Sequence, residues 1–220
     1  MKRMPRCLEK KLSKRRLEIL LERVPPPPKP KVEYEQYLIP ATLASRILWT
    51  AHMAYGDIEG KLVLDLGAGT GRLGIGAAML GAEYVVGVDV DLDSLVVARE
   101  VSEELGVHNA DFVACDVAAL ELAGEFDTVL QNPPFGVRRR GADILFLEKA
   151  AELGRVVYSI HKAETEEYVL RQIERLGMRP EVLFYDEVPI PPVYPFHTER
   201  VHLVKVFVMR AVRQGRVLGR

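Results

Sequence analysis

From residue 61 onward, nearly unbroken apolar runs alternate with stretches of helical spacing: KLVLDLG, a helix over 71–80, YVVGVDV, a helix over 91–105, DFVACDV, FDTVLQN, a helix over 142–153, RVVYSI and a helix over 164–176. A strand with one wet face alternates apolar with polar residues, whereas these five runs do not, so both of their faces must be covered. Helices between such strands carry the chain back across the sheet and make the strands parallel. Two further runs, EVLFYDEV and HLVKVFVMR, follow each other with only a proline-rich connection between them, which predicts an antiparallel end. The expected fold class is α/β, a seven-stranded and mostly parallel doubly wound sheet. At 220 residues the chain is long enough for one good core.

Ahead of the sheet, Leu17, Leu20, Leu21 and Val24 fall at helical spacing over about 8–23, and PPPPKPK must end that helix in extended geometry, as a linker or as an arm laid across the body. A second helix is expected from Pro40 to about Ala54, with Leu43, Ile47 and Leu48 on one face. Residues 1–31 thus read as a basic helical extension with a proline-rich linker, and 32–220 as the α/β domain.

Charge separates the two parts. Residues 1–31 hold eleven Lys and Arg against three Glu, a net +8, and since the whole chain carries −1 the remainder carries −9. Such an arm suits a polyanion partner, or is a solvated tail. No apolar run approaches the length of a membrane span, and the charged start lacks the apolar region of a signal peptide, so a cytoplasmic protein is expected. Cys7 and Cys115 stand far apart, and the five histidines show no metal-ligand spacing, so neither a disulfide framework nor a metal site is predicted.

Ligands of doubly wound sheets bind beyond the carboxyl ends of the strands. The first strand ends in DLGAGTGRLG, where Gly67, Gly69 and Gly71 allow a tight turn and a close approach of ligand to backbone. The same string satisfies the dinucleotide fingerprint from Gly69, so the glycines do not choose the cofactor. Asp89 ends the second strand 22 residues after Gly67, where a carboxylate can accept both ribose hydroxyls of an adenosine. Asp91 reads as the N-cap of the next helix. Asp116 ends the third strand, where it can accept from an adenine amino group or cap a loop. Both NAD and S-adenosylmethionine contain adenosine.

The fourth strand separates them, because it ends in Asn132-Pro133-Pro134-Phe135, and Asn132 is one of only two asparagines in the chain. An amino group conjugated to a ring or carbonyl is a poor nucleophile, since its lone pair is delocalised. If the Asn132 side-chain oxygen and the Pro133 carbonyl accept its two hydrogens, the nitrogen moves toward tetrahedral geometry and its lone pair can be aimed at the methyl of a sulfonium. Prolines hold the backbone in place and Phe135 offers a face on which a flat base can stack.

This D-x-G-x-G-x-G turn followed by N-P-P-F resembles the Rossmann-like class I S-adenosylmethionine-dependent amino-methyltransferases. With EYEQYLIP, NPPFG, VVYSIHK and PFHTERV, nearly the whole chain is similar to the methyltransferase-like protein 5 family of archaeal and eukaryotic adenine-N6 methyltransferases of small-subunit ribosomal RNA. The resemblance implies S-adenosylmethionine contacts at Gln36, Tyr37, Asp65, Gly67, Gly69, Gly71, Asp89 and Asp116, catalysis at Asn132, Pro133, Pro134 and Phe135, and a small zinc-binding activator subunit as partner. One departure is Leu38-Ile39, where the family usually has Pro-Thr, so a threonine hydroxyl is missing. Arg138, Arg139 and Arg140 follow the reaction motif and suit phosphates around an extruded base. His161 and Lys162, with Phe196 and His197, are expected along the same RNA channel. A protein-glutamine methyltransferase, whose substrate amide presents the same planar NH2, is the alternative, and a non-catalytic RNA-binding module on this scaffold is a more distant one.

Overall fold

The computed structural model of the chain describes residues 12–136, 141–190 and 202–214. Seven strands, β1 (Leu62–Leu66), β2 (Tyr84–Asp89), β3 (Ala110–Ala114), β4 (Phe126–Gln131), β5 (Gly154–Lys162), β6 (Met178–Ile190) and β7 (His202–Arg213), form one sheet in the order β3-β2-β1-β4-β5-β7-β6. The first five are parallel, and β7 inserts antiparallel between β5 and β6. The expected α/β class and antiparallel end are both present. The sixth strand runs beyond the 181–188 expected of it, and β5 continues two residues past the apolar run to include His161 and Lys162.

Among the described residues six α-helices cover the sheet: α1 (Lys14–Leu21), α2 (Ala41–Thr50), α3 (Arg72–Met79), α4 (Leu92–Glu104), α5 (Ala142–Leu153) and α6 (Glu166–Arg175). Strand alternation divides the core into two layers. Val63, Val85, Leu130 and Ile160 meet Leu17, Leu21, Leu48 and Ile75 from α1, α2 and α3. On the opposite face Leu64, Leu66, Val129 and Val157 meet Leu147 and Ile173 from α5 and α6. Asp65 shares the face of Val63, and so lies under α3.

Residues 12–31 of the basic extension are laid across the body. Ser13 caps α1 by accepting from the Arg16 N–H at 3.3 Å, and Leu17 and Leu21, one turn apart, are fully buried. Leu21 lies over Gly76 of α3, while the Val24 carbonyl reaches Arg72 at the start of that helix. Helix α1 therefore climbs toward the carboxyl ends of the strands, and its basic first turn points away from them. Next in the chain, α2 starts at Pro40 as expected, but passes at Ala51–Tyr55 into a wider π-helical turn that Gly56 stops with φ +67°.

Replacing a fully buried leucine by alanine typically costs about 2–5 kcal/mol. Leu21→Ala should lower the urea-unfolding free energy by about that much. A loss under about 1 kcal/mol would mean that α1 is not part of the cooperative unit.

Candidate active site

The carboxyl ends of β1 to β4 open into a cavity of about 210 Å³, closed on its other side by residues 33–39 and by the start of α5. The turn after β1 is tight: the N–H groups of Gly67 and Ala68 both donate to the Val88 carbonyl, at 2.8 and 3.0 Å, and Gly71 N–H donates to Ala68 at 2.8 Å. Gly69 has φ +54°, and a Cβ added there would meet nothing within 4 Å, so bare backbone faces open space. Gly67 also lines the cavity, against Phe146 of α5. Gly71, expected beside them at the ligand, is instead turned into the packing: a Cβ there would meet Ala98, Ile75 and Phe112, each at 3.1 Å. It shapes the turn and does not line the cavity.

Asp89 accepts from Gly69 N–H and Asp91 N–H, each at 2.8 Å, and burial pushes its carboxyl above the usual range despite both bonds. Asp65 is 1% exposed and accepts from Gly74 N–H at 2.7 Å, yet burial, with Asp89 nearby, raises it to about 7. Asp116 does both things open to it in sequence, capping a short turn through Ala118 N–H at 2.8 Å while lining the cavity. Among the described residues of the lining, Glu33, Glu35 and Arg72 are also ionisable, and the Arg72 guanidinium donates to the carbonyls of Ile39 at 2.6 Å and Val24 at 2.5 Å.

Those two bonds from Arg72 tie down both ends of a strap, residues 24–39, that crosses the cavity. Thr70 adds a third tie through its hydroxyl to the Pro25 carbonyl at 2.7 Å. In the middle, Asp91 takes Lys31 Nζ at 2.5 Å, Gln36 Nε2 at 2.9 Å and the Ser94 hydroxyl at 2.6 Å. Burial acts to raise the Asp91 carboxyl, but these three partners together hold it at about 2. Asp91 is the N-cap residue of α4 by position, although its side chain holds the strap and Ser94. Gln36, expected to contact cofactor, uses one bond at each end of its amide for the strap, the oxygen accepting from Lys31 N–H at 2.8 Å. It lines the cavity while latching the strap. Leu38 and Ile39 line it too, and Ile39 offers its carbonyl to Arg72 where the family has a threonine.

At the end of β4, Asn132 and Pro134 line the same cavity as the glycine turn. Tyr37, from the strap, donates its hydroxyl to Asn132 Oδ1 at 2.9 Å, and its ring lies 5.3 Å from that of Phe135 at a tilt of 36°. Lys162 Nζ also stands 5.6 Å from the Phe135 ring. His161 does not join them. Its ring is 2% exposed, packs 5.8 Å from Phe207 and has Nε2 2.7 Å from the Ser159 hydroxyl, and burial lowers it to about 3. The expectation of His161 at an RNA channel is therefore corrected: strand alternation that sends Lys162 outward sends His161 into the core. Arg138, Arg139, Arg140, Phe196 and His197 lie outside the described residues. Sequence reasoning missed Arg72, Leu145 and Phe146. A signal existed for the first, since Arg72 is the only charged residue in the otherwise small and apolar RLGIGAAM.

A methyltransferase-domain family model matches residues 58–189. The rRNA N(6)-adenosine-methyltransferase METTL5 of Danio rerio is 37% identical over 88% of this chain and 96% of its own length. Its namesake in Drosophila melanogaster is 38% identical over 89% and 94%. A crystal structure of a candidate RNA methyltransferase from Pyrococcus horikoshii superposes with a TM-score of 0.83 at 36% identity, covering 96% of this chain and 99% of that one.

Asp65 gives the site a pH signature. Because its folded carboxyl titrates near 7, far above its unfolded value, the folded state holds the proton longer, and stability falls as pH rises from about 4 to about 7. Asp65→Asn keeps an acceptor for Gly74 N–H but does not ionise. Its urea stability relative to wild type should climb by up to about 1.4 kcal/mol per pH unit across that window and level off above it. A pH-independent difference would contradict the assignment.

Proposed function

The chain belongs to the METTL5 family of rRNA N6-adenosine methyltransferases, and we propose that it methylates the N6 amine of an adenosine in small-subunit ribosomal RNA with S-adenosylmethionine. The observation that carries this reading is the shared cavity: Asn132 and Pro134 line it together with Gly67, Gly69 and Asp89. The residues present fit the cofactor, since bare backbone at Gly69 leaves room for it and Asp89 and Asp116 stand as acceptors in the cavity wall. Asp89 would hold the ribose hydroxyls, Asp116 the adenine amino group, and Asp65, Gly67 and Tyr37 the surrounding walls. When bound, S-adenosylmethionine supplies an electrophilic methyl group.

The chain's own residues prepare the nucleophile. Asn132 Oδ1 and the Pro133 carbonyl accept the two hydrogens of the adenine amine, so its lone pair is drawn out of the ring and aimed. The two prolines keep those acceptors in place, and Phe135 stacks the base. No side chain has to remove a proton before attack, so the rate comes from positioning. A glutamine amide would meet the same acceptors, but the Phe135 ring flanked by Tyr37 and Lys162 suits a flat base on a phosphate-bearing chain. A non-catalytic scaffold would have no use for an acceptor in register with the glycine turn.

Lys162, with Arg138, Arg139, Arg140, Phe196 and His197, is assigned to RNA, and the net +8 of residues 1–31 to further phosphate contact. Ribosomal RNA as substrate agrees with a cytoplasmic location, and no helix among the described residues is long and apolar enough to cross a membrane. The proposed partner is a small zinc-binding activator subunit, docked by strand pairing on β3. That strand is a sheet edge, Val113 on it is 44% exposed, and Val90, Leu92 and Val96 beside it are also exposed.

Asn132→Ala should lower kcat at least about a hundredfold, the scale of one positioned transition-state contact, with cofactor affinity nearly unchanged by calorimetry. Asp89→Ala should do the reverse, weakening cofactor binding by about 1.5–3 kcal/mol. Wild-type formation of N6-methyladenosine with Ala at 132, or methylglutamine as product, would overturn the reading. Co-expression with the zinc-binding subunit should raise solubility or activity, and Val113→Lys should abolish that gain. A fully active monomer that does not bind the subunit would remove the partner from the proposal.

A further inference from the structure

Asparagine presents two nearly isosteric ends, a carbonyl oxygen that accepts and an NH2 that donates. Only one of them can serve a substrate amine, because the flipped amide would set N–H against N–H. An asparagine oxygen commonly finds a backbone N–H within the next two residues, which fixes its orientation. Here both following residues are proline, and neither has an N–H to offer. The donor to Asn132 Oδ1 comes instead from 95 residues away, the Tyr37 hydroxyl at 2.9 Å.

Resting on the reading of Asn132 as acceptor of the substrate amine, we propose that Tyr37, expected from the sequence only as a cofactor contact, is a positioning residue that fixes which end of the Asn132 amide faces the substrate. A carbonyl oxygen has two lone pairs, so accepting from Tyr37 leaves one for the amine. In the flipped orientation Tyr37 would have to accept from the Asn132 NH2, stranding its own buried proton, and an unpaired buried donor is costly. Burial pushes the phenol well above its usual titration range, so the hydroxyl remains a donor wherever the enzyme is folded. Tyr37 is itself held firmly. Gln36 before it is latched to Asp91 and to the Lys31 backbone, and Ile39 after it is tied to Arg72. The ring also stacks obliquely on Phe135, so one side chain braces both the amine acceptor and the base platform.

The composition supplies a direct test. Asn109 and Asn132 are the only asparagines, so protein labelled with 15N-asparagine shows two side-chain amide signals, with Asn109, bonded to the Ala82 carbonyl at 2.7 Å, as internal control. Tyr37→Phe keeps the ring and removes the hydroxyl. The Asn132 signal should broaden or split while Asn109 stays put, and kcat should fall roughly tenfold at unchanged cofactor affinity and RNA KM. In an Asn132→Asp background both oxygens accept and there is no wrong end, so adding Tyr37→Phe should change kcat less than about twofold. An unmoved Asn132 signal in Tyr37→Phe, or an equal kcat loss in both backgrounds, overturns the inference while leaving the methyltransferase reading intact. Wild-type turnover by Asn132→Ala instead removes the reading beneath it.

Discussion

A buried arginine holds this protein's parts in one arrangement. Arg72 is 7% exposed, burial lowers its guanidinium to about 10, and so it stays charged at physiological pH inside the core. A buried charge is tolerable only when it is hydrogen-bonded, and here the carbonyls of Val24 and Ile39 accept from its two terminal nitrogens while the buried Nε–H has no partner among the described residues. Those carbonyls mark the end of α1's segment and the entry to α2. Losing either contact leaves the charge uncompensated, so α1, the strap and α2 must sit on α3 together or not at all. The glycine turn immediately before Arg72 then faces the underside of the strap across the cavity.

From that anchor the reaction corner follows by short steps. A chain pinned at 24 and 39 has fourteen residues between those points in which to cross the cavity, enough for considerable freedom in solution. Asp91 removes much of it by holding Lys31 and Gln36 at the midpoint. Only Tyr37 and Leu38 lie between that latch and the Ile39 tie, and Tyr37 is the residue that reaches across to Asn132. The reaction corner is thus assembled from two segments 95 residues apart that share no secondary structure. Precision of this kind in a connecting segment requires such over-determination, because loops left to themselves are the mobile part of a fold.

The sheet was legible because its signals are local: apolar runs, glycines at turns and helical spacing all lie within a dozen residues, and α5 spans the 142–153 that its pattern predicts. Asn132 and Asp89 were legible for a related reason, since strand ends converge in any sheet of this order. What escaped depends on partners far away in sequence. Asp91 reads as a cap until Lys31 and Gln36 arrive from 60 and 55 residues upstream. Gln36 reads only as a cofactor contact until its bonds to Asp91 and to Lys31 N–H are seen. His161 reads as a channel residue only while the strand is thought to end at Ile160; one more pair of residues in β5 settles which way it points. The resemblance to a family carried Tyr37 into the site but not its role, which requires the hydroxyl's partner to be seen.

Electrostatics shapes the cavity as well as packing does. Among the described residues of its wall, burial raises the carboxyls of both Asp65 and Asp89, the first to about 7. On the proposed reading, Asn132 offers a neutral oxygen where the amine becomes positive, which stabilises the charge without trapping the proton that must leave, and the orientation of that one amide, bonded to the Tyr37 hydroxyl, decides whether it can do so.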